Sequence, residues 1–206
     1  MRNNFPICRA AWLSLLLSLF WWGQALGAAR TVIVHVDVPP LAWSGSTLEA
    51  KLIRHLSRHE NGRFVTAQKA SLGGPGFPTD LYDLDSLVNW GMEVGGDYLL
   101  VVDIDSERLQ KKKSFHLPLV FHKYETVGVI GGELRLIDIR RGKLLIAEPF
   151  QVKQKGPRIF QATMDDDVND PDIHLTAPDK ISFFDRLEEK LALRVVERVG
   201  KVIRLR

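Results

Sequence analysis

Hydrophobic positions change their period several times along the chain, and each change marks an element. Residues Thr31 to Val38 are almost continuously β-branched or apolar, the pattern of a strand buried on both faces, and Pro39 and Pro40 close it. The period then becomes helical. Leu48, Leu52, Ile53 and Leu56 fall on one side, Ser46 and Glu49 stand at capping-box spacing, and Asn61 and Gly62 end the run. The stretch GRFVTAQKA, residues 62–70, predicts a short second strand, and the Gly- and Pro-rich SLGGPGFPTD predicts a loop. Residues Leu84 to Val94 predict a second helix, stopped by Gly95 and Gly96. Leu99 to Val102 predict another buried strand, prolonged by Asp103 and Asp105 around Ile104.

Beyond a polar connection lie two long strand-like runs, residues 124–142 and 143–155, with Gly142 supplying the positive φ of a tight hairpin. Inside IGGELRLIDIRRGKLL, residues 130–145, Leu134 and Leu136 share one phase whereas Ile137 and Ile139 share the other. One half-buried face cannot take both sets, so either a bulge occurs here or both faces are covered. The tail reads as a long amphipathic helix with Ile181, Phe184, Leu187, Leu191, Val195, Val199 and Val202 as its stripe, acids early and bases late. The expected class is α/β: a mixed sheet with two or three packed helices and a long C-terminal amphipathic helix.

Composition changes this picture mainly at the amino terminus. Arg2 and Arg9, the apolar run Ala10 to Trp22 and the small residues ALGAA form a secretory signal over residues 1–29. Residues 30–206 are then left as a single α/β domain. The apolar run is short of the roughly 20 residues a spanning helix needs, so no stable membrane span is expected after cleavage, and a periplasmic or otherwise secreted product is. Cys8, the sole cysteine of the 206 residues, precedes the apolar core, so it is not placed for lipid attachment. Without it the remaining chain has no disulfide, thiol nucleophile or cysteine metal site. Removing Arg2 and Arg9 lowers the formal net charge from +3 to +1, because no acid precedes Arg30. That balance argues against a nucleic-acid partner.

Gly96, Asp97, Tyr98 and Leu99 opening one strand, with Leu134, Arg135, Leu136, Ile137, Asp138, Arg140, Gly142 and Lys143 in the following hairpin, carry a resemblance. In these motifs, and in element order over about residues 31–204, the chain resembles the α/β domain shared by the curli-secretion protein CsgG, the amino-terminal domain of TolB and the lipoprotein activators of penicillin-binding proteins (LpoB). The resemblance implies an envelope protein working by contact, without cofactor or catalytic centre. Pore formation does not carry over: the insertion Ser106 to Val127 lacks a clean pair of alternating segments of about 9–11 residues.

Candidate chemistry is sparse. Asp165, Asp167 and Asn169 stand at the first ligand spacings of a calcium loop, but Asp170 replaces its glycine and Thr176 its final glutamate, so an acidic surface loop is expected rather than a calcium site. His55 and His59 are an i, i+4 pair read as solvated. Asp103 and Asp105 would suit a carboxylate-using periplasmic hydrolase, and calcium-dependent binding is a further alternative. The favoured expectation is a non-catalytic envelope module that docks on another cell-envelope protein, with self-association left open. Phe77, Tyr82, Phe115, Phe121 and Tyr124, aromatic and close to charge, are its candidate contacts.

Overall fold

The structure, a computed structural model, describes residues 29–39, 47–117, 121–161 and 176–204, and only the backbone of 111–117, 121–124, 157–161 and 204. Five strands form one sheet: β1 (Arg30–Asp37), β2 (Gly62–Thr66), β3 (Tyr98–Leu117), β4 (Phe121–Asp138) and β5 (Lys143–Gln161). Their spatial order is β2-β1-β3-β4-β5. β1 runs parallel to β2 and β3, whereas β3, β4 and β5 form an antiparallel meander. The helices are α1 (Leu48–His59), a single turn α2 (Ala67–Ala70), α3 (Leu84–Glu93) and α4 (Ala177–Arg204). None of the described helices is long and apolar enough to cross a membrane.

Alternation along the strands sends successive side chains to two separate cores. Val32, Val34, Leu100, Val102, Leu134 and Leu136 pack beneath α1 and α4. Ile33, Leu99, Val101, Ile137 and Ile139 pack beneath α2 and α3, around Leu87 and Trp90. Both sets in the 130–145 stretch are therefore buried, because both faces of the sheet are covered. The bulge is also present, but in the neighbouring strand: Leu136 pairs with Ile146 and Ile137 with Leu144, which leaves Leu145 as the extra residue.

Several local expectations need correction. AQKA is not strand but the helical turn α2, capped by the Thr66 hydroxyl, which accepts from the Lys69 amide at 3.1 Å. The segment after Asp105 is not a polar connection. β3 and β4 continue as an antiparallel ribbon as far as Leu117 and Phe121, with Lys111, Lys112 and Lys113 in register with Thr126, Glu125 and Tyr124. Backbone pairing does not require apolar side chains, so a lysine-rich stretch can be strand while showing no hydrophobic period. On α4, Ile181 is 59% exposed; Phe183 takes the core position instead, beside Phe184 and Leu187.

The two longest-range helices meet through a polar seam. Lys51 on α1 is buried, and its ammonium donates to the Asp185 carboxylate at 2.5 Å, the Glu188 carboxylate at 2.6 Å and the Asp185 carbonyl at 3.0 Å. Ser46 lies outside the described residues, and Thr47 holds the N-cap of α1 with its hydroxyl bonded to Glu188 on α4 rather than to its own helix. His55 is also buried, not solvated, with Nε2 2.7 Å from the Glu189 carboxylate; His59 is exposed as expected.

Candidate functional site

Of the residues that carry the resemblance, Asp97, Tyr98, Asp138, Arg140 and Gly142 converge at the end of the sheet where β1 and β3 begin. One Asp97 oxygen accepts from the Thr31 amide at 2.7 Å and the other pairs with Arg140, while the Asp97 backbone bonds to Thr31 and Ile139. Asp138 accepts from the Arg141 amide at 3.1 Å, and Gly142 has φ +59°. Arg30, Tyr98 and these side chains surround a cleft of about 150 Å³. Its acids are engaged in joining β1, β3 and the β4–β5 turn, which makes this a framework clamp.

The opposite end of the sheet differs. Strand register brings Asp37, Asp103 and Glu133 into one row across β1, β3 and β4, and His35, Val101 and Arg135 into the next row inward. The parity that buries Ile33, Val101 and Ile137 places both rows on the α3 face. Like charges in adjacent strands repel, and the surrounding groups counter this only in part. Arg135 is 7% exposed; its guanidinium donates to the Leu81 carbonyl, lies 5.0 Å from the Tyr82 ring centroid, and keeps Nε 3.6 Å from Glu133 without a hydrogen bond.

The loop after α2 closes over this corner. Tyr82 donates its hydroxyl to Asp103 at 3.1 Å and its amide to Asp80 at 2.8 Å, yet the residue is 60% exposed. Its phenol is pushed above the usual tyrosine range, chiefly by the hydrogen bond to Asp103. Phe77 is half-buried: its ring lies 3.9 Å from His35 and meets Trp90 edge-on at 4.8 Å, and the Trp90 indole in turn donates to the Pro75 carbonyl at 3.2 Å. Burial holds the His35 imidazole below its ordinary pKa, with Asp37 and Asp103 acting the other way.

Of the five aromatic candidates, the structure brings Phe77 and Tyr82 to this corner. Phe115, Phe121 and Tyr124 stand farther out in the β3–β4 ribbon, opposite Lys123, Leu117 and Lys113. Asp165, Asp167 and Asn169 lie outside the described residues. Among the described residues no group of His, Asp and Glu is placed to hold a metal ion. Asp103 is occupied by Tyr82, and Asp105 is exposed in a bulge between Ile104 and Ser106. Sequence reasoning missed Glu133, Arg135 and His35 as parts of the site. The acidic row exists only through strand register, although the odd-numbered polar residues around buried neighbours were its visible trace.

No protein-family model matches the chain, and no curated protein sequence does. Among solved structures it is similar to a minor lipoprotein from Acinetobacter baumannii, at 8% identity and TM-score 0.42 over 84% of this chain and 94% of that one. A lipoprotein from Neisseria meningitidis gives 14% identity and TM-score 0.40 over 84% and 99%. The LpoB C-terminal domain from Salmonella enterica gives 14% identity and TM-score 0.34 over 68% and 93%. All three scores are below 0.5, and the fold described above rests on this chain's own strand order and register.

Proposed function

We propose that the protein is a non-catalytic module of the cell envelope that docks on another envelope protein through the corner around Tyr82. The observation that carries this reading is an aromatic ring 60% exposed yet held from two sides, by Asp103 and by Arg135. A side chain already ordered before contact loses little conformational freedom on binding, and tyrosine is among the residues that concentrate binding energy. Asp37, Asp103 and Glu133 outnumber the Arg135 cation in the rows at this corner, so the matching partner surface presents Lys or Arg. The signal-like segment 1–29 supports an envelope location.

The test is site-specific photo-crosslinking in the native envelope, with the reactive residue at position 82 and, as control, at the exposed position 181 on the other side of the sheet. Crosslinks to a basic partner at 82, lost on exchanging Asp103 and Glu133 for Asn and Gln, are expected. Equal capture at both positions, or recovery of the protein alone, would refute the proposal.

A further inference from the structure

Over residues 72–80 the loop after α2 lies exposed except at Phe77 and Pro78, which are half-buried. Gly73 gives it a pivot, with φ +80° and no atom within 4 Å of where a Cβ would stand. Among the described residues, the segment is held to the body by the Phe77 ring, tilted 31° over the His35 imidazole and edge-on to Trp90, and by the Pro75 carbonyl, which accepts from the Trp90 indole. Buried Leu81 fixes its far end in the core. A segment with so little buried surface opens at far less cost than the whole domain.

The group beneath Phe77 can change charge. Asp37 lies two residues on from His35 on the same face of β1, and Asp103 stands diagonally from it on β3. From β4, Arg135 shares the His35 row and Glu133 the next one, while the loop contributes the Tyr82 hydroxyl, which donates to Asp103. On the other side, the last β2 partner of β1 is the uncharged Thr66, Lys69 of α2 is exposed, and α3 reaches the latch through Trp90. An aromatic cover suits a neutral imidazole, but it keeps water from an imidazolium. With the cover in place, burial outweighs Asp37 and Asp103 and holds His35 below 6.5. A proton and the cover therefore oppose each other.

We propose that Phe77 and His35 form an acid-released latch, in which a proton on His35 frees segment 73–78 and uncovers Trp90. Once the ring has left, water solvates the imidazolium and both aspartates remain beside it. The same proton adds positive charge near Asp103, the acceptor of Tyr82, so contact with a basic surface weakens in acid. That consequence rests on the docking proposed for Tyr82, whereas the latch itself does not.

Hydrogen exchange of the Trp90 indole N–H, followed by NMR on the intact protein and referred to a free tryptophan peptide at each pH, reads the latch without a partner. The signal is assigned by its loss in Trp90→Phe. Protection is expected to fall as pH drops below 6.5, by up to about tenfold one unit lower, and to stay level in His35→Gln. Should that variant not fold, the parent decides. Its His35 ring signal, recognised by contact with Phe77, must titrate below 6.5, and protection must fall between 6.5 and that midpoint and level off beneath it. Protection independent of pH, an equal fall in His35→Gln, or a His35 midpoint at or above 6.5 overturns the latch. Photo-crosslinking at position 82, repeated at about pH 7.5 and pH 5.5, reads the consequence. A yield that drops in the parent but not in His35→Gln supports it; no crosslink at either pH refutes the docking reading and leaves the latch to the exchange data.

Discussion

Replacing Lys51 with Met removes an ammonium that faces both Asp185 and Glu188 while keeping most of the side-chain volume. Glu188 is 3% exposed, so it keeps only the Thr47 hydroxyl of the two α1 groups described against it. Asp185 is more than half exposed and rehydrates, which limits the penalty on that side. Leaving a buried carboxylate without its cation costs about 3 kcal/mol, whereas replacing both members of such a pair by apolar groups is often neutral. Lys51→Met is therefore expected to lose about 3 kcal/mol, and Lys51→Met with Glu188→Leu to recover most of it. In urea melts with an m-value of about 2 kcal/mol/M, the single variant shifts its midpoint down by about 1.5 M. A single variant within about 0.5 kcal/mol of the parent, or a double variant less stable than the single, would refute the assignment. The lysine also sets an alkaline limit. Burial lowers its pKa, but the hydrogen bonds and charges of Asp185 and Glu188 outweigh burial and leave it above the ordinary 10.5. Its contribution is complete below pH 10.5 and lost as pH rises through the folded value. Lys51→Met should lack that loss.

Gly132→Ala is expected to cost about 3 kcal/mol, because a Cβ there would lie 1.9 Å from the Asp103 carbonyl oxygen of the paired strand. Gly142→Ala meets no atom within 4 Å and has only its positive φ to strain, at about 1 kcal/mol; similar denaturation midpoints for the two would sink the argument. His35, held below its ordinary 6.5 by burial, is protonated first in the unfolded chain, so stability falls as pH drops below 6.5. His35→Phe should flatten that slope in melts between about pH 7 and pH 5.5, and an unchanged slope would locate the titration elsewhere. For the segment holding Asp165, Asp167 and Asn169, calorimetry with millimolar calcium should show no heat; a saturable signal would establish the site that its missing glycine and glutamate argue against.

The sheet was largely legible because apolar runs such as Leu99 to Val102 need cover on both faces, and the two phases at Leu134 and Ile137 reported that cover directly. The β3–β4 ribbon was not legible, since lysines 111–113 show no hydrophobic alternation although their backbone pairs with β4. His55 was misplaced for a related reason: a polar face looks wet unless the acids that meet it are known, and Glu189 lies 134 residues away in the chain. At the candidate site, Tyr82 stood out as an aromatic in a loop. The acids surrounding it are assembled by register between three strands, which no local pattern encodes.

The seam between α1 and α4 also governs when the molecule can be completed. Its bonds join residues separated by 134 to 141 positions, and α4 supplies Phe183, Phe184, Leu187, Leu191, Val195 and Val199 to one of the two cores. A chain emerging amino terminus first assembles the sheet while Val32, Val34, Leu100 and Val102 still lack their final roof. Such late closure slows folding and leaves an adhesive apolar face in the interim. Emergence of the last helix is thus the step that turns a sticky nascent sheet into a finished module, and any truncation before Ala177 should yield aggregate.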